Sequence, residues 1–229
     1  MYAQGGLFFY GDVAGRRRGL ARPYDRAHGS PAAEGDPFAL HLADSPVLSA
    51  LYLDAEAEDG YHRDQNVFGP GVTIEDDMAV LVRYATGASL TYHLTAYAPW
   101  EGYRIAFNGS EGRLELLVEE STWTRPQAPT NGCDPVLHGA EADDTAGRTE
   151  LSLRRFWERP REIELPAGEG GHGGGDVRML EDLFGTHVPD PLHRAADATD
   201  GARSLVTGLA ANRSFETGLP VRAKELLDV

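Results

Sequence analysis

A single cysteine, Cys133, stands in the 229-residue sequence, so no internal disulfide can form. That fits a reducing compartment, and a cytoplasmic location is the expectation. Cys133 sits in a polar, Gly- and Pro-rich stretch without an activating neighbour, which argues against a nucleophilic role. No apolar run approaches the ~20 residues that span a bilayer. No basic segment followed by an apolar stretch opens the chain, so it has no signal-peptide pattern. Basic residues are few, 21 against 36 acidic, for a formal net charge of -15. A surface of that sign repels phosphate backbones and anionic headgroups, which disfavours nucleic acid and membrane as partners.

Catalytic signatures are missing too. The sequence has no G-x-G-x-x-G after a parallel strand, no G-x-x-x-x-G-K-[ST], no H-E-x-x-H and no G-x-S-x-G. No Cys/His cluster has zinc spacing, so no metal site is expected.

What is present is a strongly patterned chain of ordinary composition, 41% hydrophobic and 25% charged. Tyr2 to Tyr10 reads as a strand with a Gly-Gly interruption that starts at once, as if cut from a longer protein. Gly11 to Asp36 reads as a loop, with Arg16, Arg17 and Arg18 as a solvated cluster. A weak helical pattern over Pro37 to Leu53 is confined by Pro46 to the part after it. Asp76 to Tyr84 alternates, with Met78, Val80, Val82 and Tyr84 on one face. Thr86-Gly87 makes a turn, and Ser89 to Tyr97 alternates in reply. Leu90, Tyr92, Leu94 and Ala96 take one of its faces, and Thr91, His93, Thr95 and Tyr97 the other. Tyr103 to Asn108 and Arg113 to Glu119 repeat the pattern around Gly109 to Gly112. A polar insertion fills about 121–150, and Leu151 to Trp157 and Glu162 to Leu165 are shorter strand candidates.

Two amphipathic helices close the chain. The first is expected over about Asp176 to His187, with Met179, Leu180, Leu183 and Phe184 as its stripe. The second runs from about Asp200 to Thr217, with Ala202, Leu205, Val206, Leu209 and Ala210 inward, and Gly218-Leu219-Pro220 stops it. The fold class that follows is α+β, a single domain with an open, predominantly antiparallel sheet and helices packed on one face.

Two groups of residues are suited to chemistry. His172 lies in the Gly-rich segment Gly168 to Gly175, just before a helix whose first-turn acid is Asp176. Flanking glycines let the backbone approach a ligand, and a histidine there is placed to move a proton. The plainer alternative is a solvent-facing loop. The second group is His93, Tyr97, Trp100, Glu101 and Arg104. Aromatic rings, a carboxylate and a guanidinium together grip polyols by stacking and bidentate hydrogen bonds. Its plainer alternative is a polar sheet face closed by a partner subunit, with Glu101 and Arg104 as an ion pair. Glu75, Asp76 and Asp77 read as a solvated strand start.

The order of segments IEDDMAVLVRYATGASLTYHLTAYAPWEGYRIAFNGSEGRLEL (Ile74 to Leu116), GHGGGDVRMLEDLF (Gly171 to Phe184) and DGARSLVTGLAANRSFETGLPV (Asp200 to Val221) resembles the C-terminal domain of the Gfo/Idh/MocA oxidoreductases. The N-terminal strand and Tyr52 to Gly69 fit the same pattern. The resemblance implies redox chemistry on sugars, inositols or related polyols, with NAD(P) held by a separate N-terminal Rossmann domain. It also implies dimer or tetramer contacts through the open sheet face, and a Gly-rich loop carrying His172 near the substrate. The family's Glu-Lys-Pro and G-x-x-x-D-x-x-x-H motifs are absent from these 229 residues. The expectation is a substrate-binding and oligomerisation domain that binds no cofactor alone, assembles with itself or with a Rossmann-bearing partner, and is inactive in redox by itself. Two alternatives stay open: a cofactor-independent lyase, isomerase or cyclase using His172, and a non-catalytic subunit of a full-length relative.

Overall fold

Period-two alternation builds the strands, and the turns between them set their register. In the computed structural model, which describes residues 1–122, 147–165, 174–186 and 189–226, β1 (Tyr2–Gly6), β2 (Asp77–Arg83) and β3 (Ser89–Thr95) form one antiparallel sheet in that order. A second antiparallel sheet runs β4 (Glu101–Gly109), β5 (Gly112–Ser121), β6 (Thr149–Arg155), β7 (Arg161–Ile163). The fold is α+β, as expected. Its strands are divided between two sheets rather than joined in one.

The chain divides into two compact units. One takes Met1–Arg22, Val67–Tyr97 and Thr186–Val229, and the other Pro23–Asn66 and Ala98–Gly185. In the first, the β2–β3 hairpin turns where Gly87 donates its N–H to Tyr84 O at 3.0 Å. That turn needs a left-handed residue, and Gly87 has φ 92. The register then pairs Asp77 with Thr95, Ala79 with His93 and Val80 with Tyr92.

Helix α5 (Ala198–Thr217) covers the outer edge of β1. Asp197 and Asp200 form a capping box at its start, and Gly218 at φ 66 ends it. Its buried residues are Val206, Ala210 and Ser214, four apart. Leu205 and Leu209, expected inward, are exposed. The short side chains of Ala210 and Ser214 let the helix approach closely enough for Ser214 to bond the Ala3 backbone. Ser214, fully buried, accepts the Ala3 N–H at 2.9 Å, and its hydroxyl lies within donating distance of Ala3 O and Leu219 O. The Met1 ammonium donates to Val221 O at 2.6 Å and Val221 N–H to Met1 O at 2.8 Å. An exposed strand edge is thereby satisfied at two points.

Gly11 to Arg18, expected as loop, is helix α1. Its two glycines weaken propensity, so the local pattern misses it. Charge order favours it: Asp12 lies in the first turn and Arg16 to Arg18 in the last, with Arg16 bonded to Asp12 at 2.5 Å. Gly19 at φ 71 caps it.

In the second unit, Tyr24, Ala27 and Ala33 make a small buried core with Ala32 and Ala39 against it. Ser45 accepts the Leu48 N–H at 3.3 Å and Pro46 opens the short helix α2 (Pro46–Leu48) ahead of a wide turn over Ser49–Leu53. The short helix α3 (Glu56–Asp59) supplies Glu56 to Arg26. Asp64 is wholly buried, accepting His28 N–H at 2.6 Å and facing Arg26 Nη2 at 2.8 Å. Hydrogen bonding to Glu56 raises the Arg26 pKa and, in return, lowers that of Glu56. Helix α4 (Gly175–Phe184) carries the anticipated stripe of Met179, Leu180, Leu183 and Phe184, and all four are exposed. The insertion about 121–150 and Cys133 fall largely outside the described residues.

Truncating the edge-covering hydroxyl should be costly. Ser214→Ala leaves the Ala3 N–H buried without its acceptor, and a loss of about 1–3 kcal/mol is expected in urea unfolding. An unchanged midpoint would mean the edge is not closed by that hydroxyl.

Candidate functional site

The second sheet separates its faces sharply. Tyr103, Ile105 and Phe107 of β4 align with Val118, Leu116 and Leu114 of β5, then with Leu151 and Leu153 of β6. The three β4 residues are exposed. The opposite face is charged around Glu115, which accepts Arg113 Nε at 2.8 Å and lies 3.6 Å from both Arg104 and Arg154. The Arg113 hydrogen bond leads the arginines in holding Glu115 below its usual value.

This unit holds Trp100, Glu101, Arg104 and Asp176 from the expected set. Arg104 pairs with Glu115 and not with Glu101, because three residues along a strand put them on opposite faces. Burial, then the charge of Glu120, raises the Glu101 carboxyl. Trp100 folds back onto Gly102, where a Cβ would collide with its ring and with Val118 O. Asp176 is in the first turn of α4. His172 lies outside the described residues.

His93 and Tyr97 belong to the other unit, and there they converge on a residue read from sequence as solvated, Asp77. Alternation along β3 puts His93, Thr95 and Tyr97 on one face, and the register brings Asp77 beside them. Thr95 Oγ1 donates to Asp77 Oδ2 at 3.0 Å, His93 Nε2 lies 3.2 Å from Oδ1, and the Tyr97 hydroxyl reaches Oδ2 at 3.5 Å. A carboxylate only accepts, so His93 Nε2 carries the hydrogen toward it. Nδ1 is then left as the acceptor of the neutral ring. His93 is mostly exposed and Asp77 is not, a side-chain exposure of 63% against 28%. Burial, then the charges of Asp77 and Asp76, raise the Tyr97 phenol, which keeps it a donor.

Behind the cluster lies an aromatic layer. Tyr97 stacks on Phe9 with centroids 5.0 Å apart and planes at 15°. Phe9 meets Tyr10 edge-on and Phe68 at 5.9 Å, and the Arg18 guanidinium lies 5.4 Å from the Phe9 ring centre. Arg18 is therefore not simply solvated.

Asp76 fixes this layer. Its buried carboxylate accepts Phe8 N–H at 2.7 Å and those of Phe9 and Tyr10 at 2.8 Å each. Burial alone would raise its pKa. The amides outweigh that and hold it below its usual value. Nothing local in the sequence signals a carboxylate that captures amides more than sixty residues away. Asp77 is different: folding the two alternating runs about Thr86-Gly87 aligns it with Thr95, so that signal was present.

Against known proteins, the chain is 33% identical over 249 aligned positions to "Putative oxidoreductase YteT" of Bacillus subtilis (strain 168). The alignment covers all of this chain and 51% of that protein, so the chain spans about half the length of the curated relative it matches. No family model matches, and no solved structure matches.

Every strand ladder among the described residues is antiparallel, so none of them forms the βαβ crossover whose helix N-terminus takes the pyrophosphate. Among the described residues no cluster of three His, Cys, Asp or Glu could hold a metal, and no helix is long and apolar enough to cross a membrane.

The Asp76 cap makes stability depend on acid. Its folded pKa is depressed, so its contribution is complete above the unfolded value near 4 and is lost as pH falls through the lower folded value. Asp76→Asn keeps one acceptor oxygen but turns an NH2 toward an amide donor, and should cost about 2–4 kcal/mol at pH 7. The gap between wild type and variant should narrow below pH 4 in denaturant titrations. A gap independent of pH would remove the carboxylate from that role.

Proposed function

We propose that this chain is the substrate-binding and oligomerisation domain of a sugar- or polyol-type NAD(P)-dependent oxidoreductase of Gfo/Idh/MocA type, without redox activity of its own. The observation that carries the reading is the full-length similarity to a protein named as an oxidoreductase and about twice as long. Two features support the division of labour. The sequence has no phosphate-cradling fingerprint. Its polar sheet face gathers the groups that recognise hydroxyls, a carboxylate, a histidine and a threonine beside aromatic rings.

Within that reading the chain's own residues bind and handle protons. Asp77 fixes the His93 ring and leaves Nδ1 as the acceptor for a substrate hydroxyl proton. NAD(P), carried by a Rossmann domain, supplies hydride chemistry. The exposed apolar face of β4 is the surface for self-association, since a row of Tyr103, Ile105 and Phe107 is costly to leave in water.

Isothermal titration of the 229-residue chain with NADH and NADPH should give no heat of binding up to millimolar cofactor. Micromolar affinity for either would overturn the proposal. Sedimentation equilibrium should show an oligomer that Phe107→Glu dissociates at least tenfold, and a strictly monomeric wild type would remove the oligomerisation half.

A further inference from the structure

The turn between β6 and β7 joins basic and aromatic residues in an acidic chain. Arg154 to Arg161, RRFWERPR, holds four arginines and one glutamate, against a formal net charge of -15 overall. The turn is well held: Glu158 N–H donates to Arg155 O at 3.3 Å, and Phe156 N–H to Glu111 O at 3.2 Å. Trp157, the third residue of that turn, has φ 67, a left-handed position that suits glycine or asparagine and strains a bulky side chain. Its side chain gains nothing in return within the chain. Trp157 is 101% exposed and Phe156 59%, with their rings 6.4 Å apart. A turn that only reversed the chain would take glycine there and keep large rings out of water. Arg155 is paired with Glu111 and Glu158, and Arg154 with Glu115. Arg159 and Arg161 are exposed and form no ion pair among the described residues. The complement lies around α3. Asp54 and Glu58 are both exposed and four apart, on a stretch that stays right-handed helical through Ala55. Exposed Tyr61 follows them, with its ring 6.4 Å from that of Tyr52.

We infer that the β6–β7 tip docks on the acidic surface around α3 of a second copy of this chain. Phe156 and Trp157 lie against Tyr61 there, and Arg159 and Arg161 meet Asp54 and Glu58. Each copy carries both surfaces, so a two-fold axis makes the contact twice. With the four rings of two tips burying roughly 150–250 Å² each, and Tyr61 covered in return, the contact reaches the ~1,200 Å² scale of specific interfaces. Trp and Arg are also the residues that dominate binding energy at such contacts. Charge selects the occupant. The chain as a whole is acidic, so it repels an anionic membrane or polynucleotide that the arginines alone would attract, whereas a second copy offers carboxylates beside an aromatic ring. The contact uses none of the β4 face and does not depend on the function proposed above.

Sedimentation equilibrium of the full chain, run on the wild type and on Phe107→Glu, separates this contact from the β4 face. In Phe107→Glu, self-association through the tip is expected to remain, and to weaken at least tenfold between about 0.05 M and about 0.5 M salt. Adding Trp157→Gly should weaken it at least tenfold. The same change relieves the left-handed strain, so the thermal unfolding midpoint should hold or rise, which separates lost association from lost fold. Arg159→Glu with Arg161→Glu should abolish association, and so should Asp54→Arg with Glu58→Arg. An equal mixture of those two double variants should restore it, because each tip then meets the opposite charge on the other chain. A Phe107→Glu chain that is monomeric at every concentration would overturn the contact and leave the β4 face standing. Association indifferent to salt and to the tip variants would overturn it too. Capture by phosphatidylglycerol vesicles that Trp157→Gly removes, without self-association, would assign the tip to a membrane surface instead.

Discussion

One buried carboxylate organises the first unit. Asp76 gathers three consecutive amides, Phe8, Phe9 and Tyr10, in the bend after β1. Its own backbone is shared as well, taking Gly6 O and giving its carbonyl to the Ala96 N–H. A single residue therefore joins the end of β1, the approach to α1 and the exit of β3. Charged acceptors make stronger hydrogen bonds than neutral ones, and three of them offset the burial of the charge. The Phe9–Tyr97 stack and the position of the Phe8 ring both follow, because neither aromatic could hold its place on an untethered loop.

Much of this was legible in the chain and some was not, for physical reasons. The strands of both hairpins were readable because each has one apolar face and a Gly-containing turn, so alternation and register are coupled. Helix α5 was readable at its ends, where Asp197, Asp200 and Gly218 act locally. Its inward face was not: hydrophobicity pointed to Leu205 and Leu209, but close approach to the β1 edge needs short side chains, and Ser214 fits through its hydroxyl. Helix α1 was hidden because its two glycines, Gly11 and Gly15, weaken the local helical pattern. Of the candidate site, His93 and Tyr97 could be chosen by shared face, whereas Trp100, Glu101 and Arg104 were grouped by closeness in sequence. The structure puts that second trio in the other unit and gives Arg104 to Glu115.

The neighbours Asp76 and Asp77 illustrate how a strand start divides labour. Successive residues point to opposite sides, so two identical side chains meet different surroundings. Asp76 turns toward amides and is sealed. Asp77 turns toward side chains that carry hydroxyl and imidazole groups and stays partly exposed. Identical chemistry thus caps backbone amides in one case and gathers side-chain hydroxyl and imidazole groups in the other, and composition cannot separate the two.

The alcohol oxidation proposed for the longer protein divides into two tasks. Converting CH–OH to C=O removes a proton from oxygen and a hydride from carbon. The proton needs a basic atom at hydrogen-bond distance, and an imidazole fixed through Nε2 by a carboxylate offers one at Nδ1. The hydride needs an electron-poor carrier held rigidly over the same carbon, which calls for backbone amides converging on its phosphates. No stretch of this sequence has that fingerprint, and the face around Asp77 is rich in acceptors, the wrong polarity for a pyrophosphate. A face built of acceptors suits hydrogen-bond donors and disfavours phosphates, which is the physical ground for the proposed division between two surfaces.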